Sequence, residues 1–123
     1  MKIAIPCWQN IMSPVFDAAG TVLLVEFANG RELNRQTSAL SRNDPLARAR
    51  QIVFLGTDTL ICGAISGHLE AMLRSAGVRV VSNIRGAVEE VLSAFLKGVL
   101  IDTPFLMPGC YGRKRRSRNR YGR

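Results

Sequence analysis

An α/β domain built on a mixed sheet of about five strands is what this sequence predicts, and three observations predict it. After a short apolar opening at residues 2–6, the apolar run TVLLVEFA at residues 21–28 is followed across Asn29-Gly30 by a polar return. From Asp44 onward the apolar period changes from two to nearly four, giving three amphipathic stretches. Between them lie two short runs, residues 57–62 and 78–82, whose apolar centres read as strands buried on both faces, as when helices cover parallel strands. An antiparallel meander followed by strand, helix, strand, helix places helices on both faces of one sheet.

The opening strand is short because Pro6 ends the apolar run, and CWQNIMSPVFD at residues 7–17 reads as the loop that follows. Asn29 and Gly30 both tolerate positive φ, the requirement of a two-residue hairpin, so residues 31–39 return antiparallel as an edge strand. Asp44 is placed to cap the first helix with Pro45 at its first position. Leu46, Ala49, Ile52 and Val53 then form its inner face, opposite Arg48 and Gln51. Ser66 caps the second helix, whose Leu69, Met72, Leu73 and Ala76 point inward, and Gly77 stops it. The third runs over residues 87–97, with Val88, Val91, Leu92, Phe95 and Leu96 inward, Glu89 and Glu90 at its electropositive start, and Gly98 after its end. Periodicity stops near Thr103, so residues 1–103 are expected to form the domain and residues 104–123 a flexible Pro-Gly-Cys turn with a basic tail.

With 123 residues, 47% of them hydrophobic, the chain suits a single core. Its formal charge of +8 is concentrated at one end: residues 1–112 hold ten basic and nine acidic side chains, whereas residues 113–123 hold seven basic and no acidic ones. A near-neutral body offers no basic face to a duplex, so contact with nucleic acid or another polyanion would fall to the tail. Cys7, Cys62 and Cys110 are too few and too scattered for a disulfide framework, and no secretory apolar region precedes Pro6, which points to a reducing, cytoplasmic setting. No apolar run approaches the ~20 residues of a membrane span, so no membrane partner is expected. The spacings do not make a structural zinc site, since there is no C-x-x-C pair and only one histidine. The absence of a Ser-His-Asp or Cys-His constellation and of paired catalytic carboxylates argues against an enzyme.

In an open α/β sheet a ligand binds beyond the carboxyl ends of the parallel strands. If the strands starting at Lys2, Thr57 and Val78 are parallel, their exits gather Cys7, Trp8, Gln9 and Asn10 from the first, Cys62, Gly63, Ser66 and His68 from the second, and Ser82, Asn83, Arg85 and Gly86 from the third. Thiols, an imidazole, a guanidinium and small residues that let main-chain N–H groups approach an anion make a soft-ligand pocket. Packing competes with ligation at each position. Cysteine is among the most buried residue types, a histidine in a first helical turn is ordinarily solvated, Trp8 suits a packing or lid role, and Arg85 suits a solvated loop charge. The turn at residues 63–67 lacks the spacing and the lysine of a P-loop. Cys110 stands outside every expected element, and the roughly 30 Å that an extended chain covers from Leu100 brings it within reach of the pocket. Cys62, Cys110 and His68 are the candidate metal ligands.

MKIAIP at the start, SPVFD at residues 13–17, LICGAIS at 60–66, LRSAGVRVV at 73–81, GAVEEVLSAFLKG at 86–98 and FLMPGCYGRKRR at 105–116 carry a resemblance over nearly the whole chain. In their order they look like the dinitrogenase iron-molybdenum cofactor biosynthesis family, which includes NifX-type carriers, the carboxyl-terminal domain of NifB and small stand-alone proteins. The resemblance implies a ribonuclease H-like α/β fold without nuclease activity. It further implies non-enzymatic binding of an iron-sulfur or iron-molybdenum type cluster, exchanged with donor and acceptor proteins. It places Cys62, Gly63 and Ala64 on the family's strand-exit motif, with Ala64 where glycine is common, and Cys110 on a Pro-Gly-Cys tail found in a subset of members. Cys7 stands where the family has an apolar or small residue. Two other readings stay open: a nucleic-acid-binding accessory acting through the basic tail, and a metal-free anion- or nucleotide-binding regulator using the helix starts after Cys62 and Gly86.

Overall fold

The antiparallel meander expected from the sequence is present in a computed structural model that describes residues 1–41 and 44–97. In chain order, β1 (Lys2–Trp8) turns into a short β2 (Ile11–Met12), and β3 (Thr21–Ala28) pairs antiparallel with β1 on one side and with β4 (Arg31–Ala39) on the other. Asn29 and Gly30 take φ of +54° and +76°, the left-handed pair that a two-residue hairpin needs. The expected loop at residues 7–17 is only partly a loop, since β1 continues past Pro6 and Cys7 pairs with Met12 and Trp8 with Ile11. Pro6 is tolerated inside the strand because the parallel ladder from β1 to β5 (Thr59–Ile61) covers only Ile3 and Ala4, so the missing N–H falls beyond its last rung. β5 pairs in parallel with β6 (Arg79–Val81), giving the order β4-β3-β1-β5-β6 with β2 beside the end of β1, six strands among the described residues.

Three helices complete the fold: α1 (Pro45–Phe54), α2 (Gly67–Ser75) and α3 (Val88–Lys97). Asp44 caps α1 by accepting from the Leu46 N–H at 3.0 Å, and Ser66 caps α2 by accepting from the Leu69 N–H at 3.4 Å. Alternation along the strands divides the core in two. Ile3, Ile5, Cys7, Val25, Ile61 and Val81 pack with Val88, Val91 and Leu92 of α3, while Ala4, Val22, Leu24, Leu60, Cys62 and Val80 pack with Ala49 and Ile52 of α1 and Leu69 and Leu73 of α2. Helices thus cover both faces of the mixed sheet, and no helix among the described residues is long and apolar enough to cross a membrane.

All three inner faces differ in part from the expected ones, and on α2 the departure is Ala76, which is exposed at the helix end. Leu46 and Val53 keep 38% and 40% of their surface exposed while Arg48 is only 2% exposed, so α1 is rotated from the face that its apolar residues define. Hydrogen bonds from the Arg48 guanidinium to the carbonyls of Phe16 and Ala19 cause the rotation, an interaction that hydrophobic counting scores with the wrong sign. On α3, Leu96 is exposed and the smaller Ala94 is buried. Gly98, the expected end of the domain near residue 103 and the whole of residues 104–123, Cys110 included, lie outside the described residues.

Thr57, just before β5, is buried with a hydroxyl that has no hydrogen-bond partner among the described residues. Since a buried unmet hydroxyl costs about 1–3 kcal/mol, Thr57→Val should keep or raise stability by about 1 kcal/mol in urea unfolding. A clear loss instead would expose a hydrogen bond to the hydroxyl.

Candidate functional site

The three strand exits meet along one edge, and main-chain hydrogen bonds fix how. Beyond β5 and β6, the Cys62 N–H donates to Val81 O at 2.9 Å, the Ile84 N–H to Cys62 O at 3.0 Å and the Asn83 N–H to Gly63 O at 2.9 Å, so these two exits run side by side. On its other flank the β5 exit meets the SPVFD segment: the Ala64 N–H donates to Pro14 O at 2.8 Å and the Phe16 N–H to Ala64 O at 2.7 Å. The β1–β2 turn closes the row, with the Met12 N–H on Gly86 O at 3.0 Å and the Val88 N–H on Asn10 O at 2.7 Å. Convergence of the exits, expected if the strands were parallel, is therefore present as a continuous laced edge.

Gly63 shows why the CGAIS and SPVFD motifs occur together. A Cβ there would overlap the Pro14 carbonyl oxygen and come within 2.8 Å of its carbon and 2.9 Å of Ser13 O. Only a residue without a side chain lets the two backbones close. The next contact is polar: the Asp17 carboxylate accepts from the Ser66 N–H at 3.0 Å, where a negative charge is favoured at the start of α2.

A cavity of about 260 Å³ opens at the end of β1, walled by Cys7, Trp8, residues 13–15 and residues 18–20. Trp8 is 68% exposed, and Ile11, its cross-strand neighbour, is exposed as well, so the rim is apolar. A second cavity, also about 260 Å³, shares Cys7 as a wall and reaches along the α3 side to Gln9, Asn10, Thr21, Arg35 and Glu89. There the Arg35 guanidinium is held between Glu32 at 2.7 Å and Glu89 at 2.5 Å, so its charge is already matched and offers little to an anionic guest.

The sequence-derived site residues fall into three groups. Trp8, Ser66, Arg85 and Gly86 are exposed on the laced edge, and Gly63 and Ala64 form its backbone seam. Cys7 is 5% exposed, facing the α3-side core, and burial pushes its thiol pKa up. Cys62 is fully buried in the opposite core, so the sheet lies between the two thiols. Burial first, then the charges of Glu70 and Asp17, push the Cys62 thiol far above the ordinary cysteine range, which keeps it protonated. His68 is exposed in the first turn of α2, and no group of three or more His, Cys, Asp or Glu is placed to hold a metal among the described residues. Native Cys62 should accordingly resist iodoacetamide at pH 8 while the urea-unfolded chain reacts fully, as read by mass spectrometry. Equal rates in the two states would show that the edge opens readily.

Residues 13–20 are the part of this site that the sequence reading left unplaced. SPVFD stood out as a motif, but its position against Ala64 depends on a long-range backbone seam that no local pattern records. The carbonyls that Arg48 meets, those of Phe16 and Ala19, are equally invisible to a local pattern.

An open mixed sheet clothed by helices on both faces, with its parallel-strand exits laced along one edge and a cavity at the end of β1, defines a small α/β domain. Its lineage is given by sequence: the chain belongs to the dinitrogenase iron-molybdenum cofactor family, which it matches over residues 1–98. PH0822 shares the fold with a TM-score of 0.76 at 20% identity, covering 80% of this chain and 90% of that one. The apo form of the orange protein from Desulfovibrio gigas gives 0.68 at 20% identity over 80% and 88%. MJ0327 from Methanocaldococcus jannaschii, described as a candidate dinitrogenase, gives 0.65 at 21% identity over 80% and 90%. No curated protein matches by sequence.

Proposed function

We propose that the chain is a non-enzymatic carrier that binds an iron-sulfur or molybdenum-containing cluster as cargo at the strand-exit edge and exchanges it with donor and acceptor proteins. The observation that carries this is the cavity of about 260 Å³ at the end of β1, walled by Trp8, Cys7 and the SPVFD segment on the edge where all three exits join. Metal-sulfur clusters are commonly anchored by several cysteine thiolates. The described residues supply no such cage: Cys7 lines the cavity but its side chain packs in the α3-side core, Cys62 is sealed in the opposite core, and His68 and Arg85 are exposed. Cargo held mainly by shape, by the Arg85 charge and by one or two ligands such as His68 or Cys110 is held loosely enough to pass on. Cys62, Gly63 and Ala64 then act as the frame of the edge, with Cys62→Ala retaining cargo.

A metal-free anion site at the helix starts fits less well. The Ser66 N–H at the start of α2 is occupied by Asp17, whose charge repels a phosphate, and the Val88 N–H at the start of α3 is taken by Asn10 O.

Trp8 is the single tryptophan of the chain and stands on the cavity wall, so its emission reports on the site. Anaerobic titration with tetrathiomolybdate, and separately with ferrous iron and sulfide, should quench it in the parent. Trp8→Ala, an exposed substitution expected to change stability by less than about 0.5 kcal/mol, should weaken retention of the same probes about tenfold by metal analysis after gel filtration. Equal retention by both proteins would remove the cavity as the site.

A further inference from the structure

We propose that Arg48 is a positioning residue for this edge: from α1 it fixes the turn at residues 16–19, and through that turn the start of α2 and one wall of the cavity. Its relevance to cargo rests on the carrier reading above; its effect on the turn does not.

Arg48 is 2% exposed, and its Nη1 donates to Phe16 O at 3.2 Å and to Ala19 O. Its guanidinium carbon lies 5.7 Å from the centre of the Phe16 ring. The two carbonyls bracket the 3-10 turn Phe16–Ala18, which closes on itself through the Ala19 N–H on Phe16 O at 3.1 Å. That turn has two outward roles. It presents Asp17 to the Ser66 N–H, and its Ala18, followed by Ala19 and Gly20, walls the cavity.

Filling the space beneath α1 does not require a cation, as buried Ala49 and Ile52 show, and burying one carries a desolvation cost. What a guanidinium adds is a planar fork with several N–H donors, able to bond neighbouring carbonyls that have no route to water. Removing it takes the guanidinium donor from the Ala19 oxygen and leaves the Phe16 oxygen with the Ala19 N–H, and the cheapest relief is for the turn to move. Movement of the turn loosens the Asp17 bond to Ser66 and the seam with Ala64.

Amide hydrogen exchange on the full chain tests this without any ligand. In Arg48→Met, which keeps the apolar stem and removes every donor, exchange at Phe16, Ala64 and Ser66 should rise roughly tenfold or more beyond any change at Val22 and Leu24 in the β1–β3–β4 ladder. Arg48→Lys, which keeps a charge and a donor, should show a smaller rise in the same pattern, and it carries the comparison if the methionine variant fails to fold. Exchange that rises equally at the edge and in the ladder, or at neither, would make Arg48 a contributor to global stability only and overturn the proposal. The carrier reading is separable: if the parent fails to take up tetrathiomolybdate or iron and sulfide, that reading falls, while the exchange pattern still decides the role of Arg48.

Discussion

Gly63→Ala should destabilise the domain by about 3 kcal/mol, because forcing an atom into packed structure costs about 1–3 kcal/mol and each of the two hydrogen bonds that the seam would lose contributes about 0.5–1.5 kcal/mol. The new Cβ would meet main-chain atoms of Pro14 and Ser13, which no rotamer change can move aside. Relief requires the 62–66 and 13–17 segments to part, with loss of the Ala64 N–H bond to Pro14 O and the Phe16 N–H bond to Ala64 O. For a domain near this size, each kcal/mol shifts the melting temperature by about 4–8 °C, so a drop of roughly 12–24 °C is expected in a thermal scan. A shift of only a degree or two would mean that the seam opens freely and frames nothing.

Phe16→Ala should cost a comparable about 3–5 kcal/mol, the usual range for emptying a buried aromatic site. Phe16 is completely buried beneath α1, and its ring also faces the Arg48 guanidinium. Urea unfolding should show the loss as a lower midpoint with an unchanged slope, while Phe16→Leu, which refills most of the volume, should lose much less. Equal effects of the two substitutions would indicate that the site collapses around the gap. Because Phe16 and Gly63 share the Ala64 seam, their combined substitution should fall short of the sum.

The meander, the Asn29-Gly30 hairpin, the Asp44 and Ser66 caps and the division of helices between two faces were legible in the sequence because each depends on local chemistry or a short period. Long-range compensation was not. Pro6 looked like a strand end, yet β1 runs on to Trp8 because the neighbouring ladder stops at Ala4. Arg48 looked solvated, yet carbonyls about thirty residues earlier draw it into the core. The convergence of the exits followed from the expected parallel strands, but the sealing of Cys62 behind them depends on the face to which β5 turns its side chains. A cysteine at a strand end reads alike in either case.

The most direct measurement is a chemical-shift map of the anaerobic full-length chain titrated with tetrathiomolybdate, a diamagnetic molybdenum-sulfur anion. The result expected is a set of saturable perturbations at Trp8, residues 13–20, residues 63–66 and residues 85–86, with residues 26–33 at the far end of the sheet unmoved. Perturbations confined to the seven basic residues of the tail, or their absence throughout, would contradict cargo binding at the strand-exit edge.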